Sequence, residues 1–452
     1  MPVKRWHAEL AWLGGDTVAE QVLLEVEADR FLRVTPGSQP PADAVRLPGL
    51  TIPGLVNAHS HAFHRALRGH THYGAGDFWA WRRQMYAVAD QLRPDSYLVL
   101  ARAVYAEMAL AGITTVGEFH YLHHAPGGVG YDDANAMGVA LVAAAAEAGI
   151  RISLLDTCYL QADVEGSALS GPQLRFGDGD VAGWAARVAG LPAAARRIAP
   201  TTARVGAAIH SVRAVPADGL AEVSAVATGL AGPLHLHLSE QPAENAACLA
   251  ATGRTPAALC AEHGVLGGRT TAVHATHLSA ADVCLLGSSA TAVCLCPTTE
   301  RDLADGIGPS AALRAAGSAL CLGSDSHAAI DLLEEARAVE LDERLASLRR
   351  GTHPASVLLT AATAGGADAL GWPEAGRLVP GALADFATIR MDSVRTAGAD
   401  PGTAMAMATF AAGAADVTNV VVGGLTIVSD GESRRLHQVG RALAEAIRPL
   451  WS

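Results

Sequence analysis

Basic residues, lysine above all, and long apolar runs are scarce in this sequence. Its 452 residues include 33 Lys and Arg against 45 Asp and Glu, a net charge of −12, and Lys4 is the only lysine. This balance excludes the basic surface that nucleic acid or an anionic membrane requires. No stretch reaches the roughly 18 uninterrupted apolar residues of a membrane span, and the N-terminal segment lacks the apolar core of a signal peptide. We therefore expect a cytoplasmic protein without nucleic-acid or membrane partners.

Cysteine spacing excludes a disulfide framework. The seven cysteines form no CxxC pair and stand in apolar surroundings, which predicts reduced core residues. Half of all residues are hydrophobic and 17% are charged. That composition excludes a disordered chain and suffices for a large buried core.

Histidine, in contrast, is abundant. Aromatic residues make up only 5% of the chain, yet there are 18 histidines, and 15 of them lie between His59 and His327. Their positions relative to the predicted strands decide which of them could form a site.

Alternating β-like and helical runs between about residues 50 and 370 predict an α/β fold with a TIM-type (β/α)8 barrel. Eight β-like runs are found: TIPGLVNAHSH, GITTVGEF, RISLLDT, ARVGAAIH, PLHLHLS, TTAVHAT, ATAVCLC and SALCLGSDS. Both chain ends have the residue patterns of β-strands and turns. We predict the barrel over 51–375 and a small β-sandwich built from 1–50 and 376–452, the latter with a terminal helix.

Side chains that can bind a metal ion lie at the ends of the first and fifth β-like runs. His59 and His61 alternate, so both face the same side of a strand, and His235 and His237 repeat that pattern. His237 is nearer the carboxyl end of its strand, where barrel enzymes place their chemistry, whereas His235 suits a deeper core position. Glu240 follows three residues later, either as a site carboxylate or as an acid at a helix N-terminus.

The sixth and eighth runs end in similar residues. His274 follows a β-like triplet and is a site candidate, whereas His277 suits the surface. Asp325 lies in a Gly/Ser turn after the last run and could bind metal, accept a proton or cap a helix; the role of His327 is open. Three imidazoles and a carboxylate suit Zn²⁺ with an open position for water, although Fe²⁺ or Mn²⁺ can take the same ligands.

These motifs resemble a known family. PGLVNAHSH, HLHLSE, VHAT, GSDS and GRLVPGALADF are similar to the amidohydrolase superfamily, whose deaminase branch has a mononuclear metal site without a carbamylated lysine. Within that branch, HSHAFHRALRG, FWAWRRQMY, GEFHYLHH, GVGYDD, AIHSVRAV, HLHLSEQ and CPTTERDLADG resemble the N-formimino-L-glutamate deiminases of histidine degradation.

The resemblance implies a role for individual residues. The implied metal ligands are His59, His61, His237 and Asp325; Glu240, His274 and Asp325 are implied in catalysis; and His64, Arg82, Tyr121, His210 and Arg213 are implied in substrate binding. At His64 the sequence departs from the family, which has a glutamine there. The resemblance further implies a small dicarboxylate substrate, release of ammonia and a homodimer.

Local sequence alone leaves part of the substrate wall open. Arginine binds carboxylates through its planar fork, so Arg82 and Arg213 suit a dianion, but Arg83 could exchange roles with Arg82. Tyr121 stands in a crowded segment with Glu118, His120, His123 and His124, among which the sequence does not choose.

Two alternatives remain at this point. A deaminase of the same branch that acts on a purine, a pterin or a related heterocycle would share the metal ligands but have aromatic and amide groups in its pocket. A barrel without activity could serve as a binding protein, although intact Glu240 and Asp325 argue against it.

Overall fold

The structure is a computed structural model that describes residues 2–71 and 78–451, with side chains from 81 onward in the second range. Within these residues, no helix is both long and apolar enough to cross a membrane. Six of the seven cysteines are buried, and Cys284 is exposed, contrary to the prediction that all lie in the core.

Eight parallel strands form the predicted barrel. They are β5 (Leu55–Ser60), β6 (Ile113–His120), β7 (Arg151–Cys158), β8 (Ala203–Ile209), β9 (Leu234–Leu238), β10 (Thr270–His274), β11 (Ala292–Leu295) and β12 (Leu320–Leu322). Each strand pairs with the next along the chain. Their residues are buried almost throughout, as expected for a sheet that is covered on both faces.

The first strand meets the end of the last, so the barrel nearly closes. Ser60 and Asp325 form an isolated parallel bridge. The amide of Asp325 donates to the carbonyl of His59 at 3.0 Å, and the amide of His61 donates to the carbonyl of Asp325 at 3.2 Å. The closure therefore places the HxH pair directly beside Asp325.

Helices connect the strands and continue beyond them. They are α1 (Phe78–Gln91), α2 (Pro94–Leu110), α3 (Ala136–Ala148), α4 (Val181–Val188), α5 (Leu191–Ile198), α6 (Ala217–Gly229), α7 (Pro242–Thr252), α8 (Pro256–Glu262), α9 (Ala280–Ser288), α10 (Pro297–Asp302), α11 (Ser310–Ala316), α12 (Leu332–Ser347), α13 (Ala355–Thr360), α14 (Gly366–Ala369), α15 (Ala404–Phe410) and α16 (Val439–Ile447). The segment PAENAACLAATGRTPAALCAEHG, residues 242–264, has the sequence pattern of one helix. It forms two helices, because Gly253 takes a left-handed φ of 71° and Thr255 caps a new start.

The two chain ends build a separate mixed sheet, as the sequence predicts. Its strands are β1 (Lys4–Ala11), β2 (Ala19–Glu27), β3 (Arg30–Thr35), β4 (Val45–Pro53), β13 (Phe386–Ile389), β14 (Val417–Val422), β15 (Leu425–Ser429) and β16 (Glu432–Ser433). The order is β16-β15-β14-β13-β4-β1-β2-β3, so the pairing of β4 with β13 joins the N-terminal strands to the C-terminal ones. Trp6, Phe31 and Phe386 pack in a core of its own.

The chain passes from this sheet into the barrel at Gly54, between β4 and β5. A Cβ atom at Gly54 would lie 2.2 Å from Thr114 Oγ1, so only glycine fits. A buried ion pair links the two units again: Arg151 Nε of β7 lies 2.7 Å from Asp385 Oδ2, just before β13. The predicted domain limits at residues 50 and 375 stay a proposal.

Candidate active site

Four of the predicted ligands converge at the carboxyl ends of the barrel strands. His59 Nε2 and His61 Nε2 lie 3.2 Å and 3.3 Å from Asp325 Oδ1. His237 Nε2 lies 3.1 Å from His59 Nε2 and 3.4 Å from His61 Nε2. Three strand ends, those of β5, β9 and β12, therefore bring three imidazole nitrogens and a carboxylate to one point.

The hydrogen bonds of these rings show which nitrogens carry protons. His61 Nδ1 donates to the Phe119 carbonyl at 2.9 Å, and His237 Nδ1 donates to the His210 carbonyl at 2.9 Å. Burial lowers the pKa of His61 to about 3 and lowers the pKa of His59 and His237 as well. In the neutral rings of His61 and His237, Nδ1 therefore holds the hydrogen and Nε2 presents a lone pair.

The donor set fits a divalent metal ion. Lone pairs about 3 Å apart cannot hydrogen-bond to one another, whereas a shared cation satisfies all of them. Backbone carbonyls that accept from the far ring nitrogen are also the usual support of metal-binding histidines. The site can therefore hold a metal, with His59, His61, His237 and Asp325 as its donors.

Three carboxylates surround His274 at the end of β10. Its Nε2 lies 3.8 Å from Glu240 Oε1 and 3.8 Å from Asp325 Oδ2, and its Nδ1 lies 3.3 Å from Glu300 Oε1. Burial alone would lower the pKa of His274, but the negative charges of Glu240, Glu300 and Asp325 outweigh it and raise the pKa to about 10. Burial also raises the pKa of Glu240. The protonated ring of His274 therefore lies next to the candidate metal donors. So does the carboxyl of Glu240, which holds its proton more firmly than usual.

Left-handed backbone occurs at the same strand ends, as it does at several positions elsewhere in the described residues. His274 has a φ of 67°, Asp325 of 42° and Ser239, which precedes Glu240, of 52°. Left-handed backbone costs a non-glycine residue on the order of 1 kcal/mol. Such strain marks functional sites, because the surrounding structure must hold these conformations in place.

A small cavity opens over this cluster. Ten of the eleven site residues that the sequence predicts line it, and these are His61, His64, Arg82, Tyr121, His210, Arg213, His237, Glu240, His274 and Asp325. The eleventh, His59, is fully buried behind them.

Arg82 and Arg213 supply positive charge to the wall of the cavity. Arg82 lies on α1, and Arg213 follows the end of β8. His210 lies between the cluster and the two arginines. Burial is the largest cause that lowers the pKa of His210, and the charges of Arg213 and Arg82 lower it further. Arg83 is exposed and does not line this cavity, so the structure selects Arg82 from the two candidates on α1.

Tyr121 is the residue of its crowded segment that reaches the cavity. Its hydroxyl and His64 Nε2 are 2.9 Å apart. Glu118 instead accepts from the Ser60 hydroxyl and the Ala62 amide, both at 2.7 Å, behind the HxH pair. His120, His123 and His124 do not line the cavity either.

The sequence also left open the roles of His235, His277 and His327. These histidines form hydrogen bonds with groups outside the cavity lining. His235 Nε2 donates to the Ala369 carbonyl at 3.0 Å, and His277 Nε2 donates to the Asp305 carbonyl at 2.7 Å. His327 is buried between the hydroxyls of Ser60 and Ser324.

Sequence reasoning missed several residues of the site. Trp81, Met85, Tyr86, Tyr159, Phe176 and Leu303 also line the cavity, and Glu300 stands behind His274. Tyr159 directly follows β7, a position at a strand end that could have revealed it. Glu300 lies in the quoted segment CPTTERDLADG, but its contact with His274 depends on the fold.

Comparison with known proteins shows which family the chain matches. The model of the amidohydrolase family matches residues 50–427. The chain is 35% identical to a formimidoylglutamate deiminase of Pseudomonas aeruginosa over 96% of each chain. It is 29% identical to an 8-oxoguanine deaminase of the same organism over 90% of each chain.

The chain belongs to the amidohydrolase family. A crystal structure of an amidohydrolase from Brucella melitensis superimposes on it with a TM-score of 0.91 and 31% identity, over 99% of this chain and 100% of the other. All eleven predicted site residues of this amidohydrolase lie inside the segment that the family model matches.

Proposed function

We propose that this amidohydrolase hydrolyses N-formimino-L-glutamate to N-formyl-L-glutamate and ammonia. The observation that carries the proposal is the pair Arg82 and Arg213 on the wall of a cavity whose base is the His/Asp cluster. Two guanidinium groups suit a substrate with two carboxylates. The similarity to a formimidoylglutamate deiminase over nearly the whole chain supports the same substrate.

His59, His61, His237 and Asp325 would hold one metal ion, for which zinc suits the three nitrogens and one carboxylate best. Iron(II) or manganese(II) could occupy the same donors. When bound, the metal lowers the pKa of a water molecule towards neutrality, so that it can act as a nucleophile.

The chain's own acids and bases then move the protons. Asp325 accepts a proton from the attacking water, and Glu240, whose pKa is raised by burial, gives a proton to the departing nitrogen. His274, held between Glu240 and Asp325, donates a hydrogen bond to the attacking oxygen. The bond from the formimino carbon to its terminal nitrogen breaks, ammonia leaves, and the formyl group stays on glutamate.

The substrate wall has two parts in this proposal. Arg82 and Arg213 bind the carboxylates, while His64, Tyr121 and His210 contact the remainder of the substrate. His64 and Tyr121 act together, because a hydrogen bond joins them. Burial lowers the pKa of His64 well below its usual value, so His64 offers a neutral ring that donates one hydrogen bond and accepts another.

The finer expectations extend the same proposal. They are zinc as the native metal, a homodimer, a cytoplasmic location and a place in histidine degradation. Their support is the resemblance of the sequence motifs and the similarity to the Pseudomonas formimidoylglutamate deiminase.

An ammonia-release assay tests the proposal. Purified protein with bound metal is given N-formimino-L-glutamate in one arm, and 8-oxoguanine, guanine, adenosine and isoxanthopterin in the others. We expect ammonia from the first substrate alone and, by mass spectrometry, N-formyl-L-glutamate as the product. Formamide and glutamate would show cleavage of the other C–N bond. Turnover of a heterocycle in preference to the linear amidine would overturn the proposal.

A further inference from the structure

Two phenol hydroxyls hold the guanidinium of Arg82. Arg82 Nε donates to the Tyr86 hydroxyl at 2.6 Å, and Arg82 Nη2 donates to the Tyr159 hydroxyl at 3.1 Å. Tyr86 stands one turn later on the same helix, α1, whereas Tyr159 follows β7 of the barrel. Among the described residues, Tyr159 therefore links the barrel directly to the arginine.

Tyr159 also contacts a second residue of the substrate wall. Its ring lies 4.4 Å from the ring of His210, centre to centre, at an interplanar angle of 64°. Its hydroxyl accepts a further hydrogen bond from Gln173 Nε2 at 3.1 Å. Tyr159 is almost fully buried, so its ring and its hydroxyl have one fixed position between α1 and β8.

The far end of α1 is fixed independently of Tyr159. The buried guanidinium of Arg175 donates to the Leu92 carbonyl at 2.8 Å and also to the Ala89 carbonyl. Ala89 lies about two helical turns beyond Arg82. Loss of the Tyr159 hydroxyl therefore leaves these contacts of the helix in place and removes one hydrogen-bond acceptor from Arg82 and one from Gln173.

We propose that Tyr159 is a positioning residue that holds the guanidinium of Arg82 over the cavity and thereby sets the affinity for the substrate carboxylate. The proposal rests on the function proposed above for Arg82. An arginine side chain loses much rotational freedom when it binds a carboxylate, and a guanidinium already held in its binding geometry loses less. Burial raises the pKa of Tyr86, so this second partner also stays a neutral phenol at physiological pH.

Tyr159→Phe tests the proposal, because it removes the hydroxyl and keeps the ring against His210. Binding of glutarate, a dicarboxylate without a reactive group, is measured by calorimetry on the protein with bound metal, and turnover of N-formimino-L-glutamate is measured in parallel. We expect Kd and KM to rise by about tenfold, the effect of one hydrogen bond to a charged group, while kcat changes by less than about twofold. Tyr97→Phe, which removes a buried phenol of α2 outside the cavity lining, is the matched control and leaves both constants unchanged.

A double-mutant cycle separates positioning from a direct contact. In the background of Arg82→Met, adding Tyr159→Phe raises Kd no further, because the group that it positions is gone. Equal increases in both backgrounds, or a loss of kcat at constant KM, would overturn the proposal. If Tyr159→Phe does not fold, Tyr86→Phe removes the other hydroxyl bound to Arg82 and must show the same dependence on Arg82.

The glutarate arm keeps the two proposals distinguishable. If wild-type protein binds glutarate and the cycle shows coupling but N-formimino-L-glutamate releases no ammonia, the positioning role stands and the proposed substrate is wrong. If wild-type protein binds no glutarate, Arg82 does not bind a carboxylate and the positioning role is overturned.

Discussion

At the scale of single residues, the direction of each imidazole matters more than the number of histidines. His61 and His237 donate from Nδ1 to backbone carbonyls, so that their Nε2 atoms point to a shared position. His235 instead donates from Nε2 to the Ala369 carbonyl. The same residue type is thus a candidate metal donor in one place and a core residue two positions away.

Arg82→Met tests the carboxylate-binding role of Arg82. Loss of a buried charged partner of a ligand carboxylate costs roughly 2–3 kcal/mol, so we expect kcat/KM for N-formimino-L-glutamate to fall by about 30- to 100-fold. Metal content, measured by elemental analysis, stays at the wild-type value. The neighbouring Arg83→Met is the control, since Arg83 is exposed, and it stays within about twofold of wild type. Equal kcat/KM in Arg82→Met and wild type would remove Arg82 from the site.

Glu300→Gln tests whether Glu300 orients His274. Glu300 Oε1 lies 3.3 Å from His274 Nδ1 and also accepts from the Cys296 amide at 2.9 Å. Glutamine can still accept that amide but lacks the charge opposite the imidazolium, so kcat should fall about tenfold with KM little changed. Asp302→Asn, on the same helix α10, controls for the lost charge. A kcat equal to wild type would contradict the role, as would the same fall in Asp302→Asn.

The sequence could predict which side chains converge at the candidate metal site but not the residues that support the site, and the reason is geometric. His59, His61, His237, His274 and Asp325 stand at strand ends, and a period of two tells which strand residues share a face. Tyr159 bonds to Arg82 and Glu300 contacts His274 only because the fold brings distant parts of the chain together. The spacing of these residues along the chain does not predict the contacts.

At the scale of elements, the barrel strands were predictable and the breaks between helices were not. All eight β-like runs are strands, because a buried parallel strand is a short, continuous apolar run. The run over 242–264 reads as one helix, yet Gly253 ends α7 and Thr255 caps α8. Likewise, the run TIPGLVNAHSH divides at Gly54 between two sheets, because pairing partners lie far away in the sequence.

The buried carboxyl of Glu335 on α12 makes the packing of two helices depend on pH. Glu335 accepts from the amide of Thr298, at the start of α10, at 2.9 Å and also from its hydroxyl. Burial raises the pKa of Glu335 well above its usual value near 4.5 despite these bonds. The folded state therefore holds this proton more tightly than the unfolded state does. The stability due to this proton is present below pH 4.5 and is lost as the pH rises through the raised pKa.

Thermal unfolding of wild type and Glu335→Gln, followed by circular dichroism from about pH 5 to about pH 8, tests this dependence. We expect the midpoint of wild type to fall by about 2 °C or more relative to the variant over that range. Glu334→Gln, one residue earlier on α12, controls for the loss of a carboxylate and should keep the wild-type profile. Parallel curves for wild type and Glu335→Gln would contradict a raised pKa.

At the scale of the whole molecule, net charge and local charge are independent. The chain carries −12, yet Arg82 and Arg213 place two cations on the wall of its candidate active site. The overall charge disfavours nucleic acid as a partner, while the local field can attract a small anion into the cavity.

Metal removal should destabilise the whole barrel, because the proposed donors come from β5, β9 and the residue after β12, which span its closure. A metal that binds the folded state alone stabilises it by mass action. Dialysis against a chelator should lower the unfolding midpoint by about 5 °C or more, and one equivalent of zinc should restore it. His237→Asn should show no response to chelator, whereas His277→Asn, which alters a histidine bonded to the Asp305 carbonyl, should respond like wild type. Identical midpoints for wild type with and without chelator, together with no metal by elemental analysis, would show that the four donors hold no structural or catalytic ion.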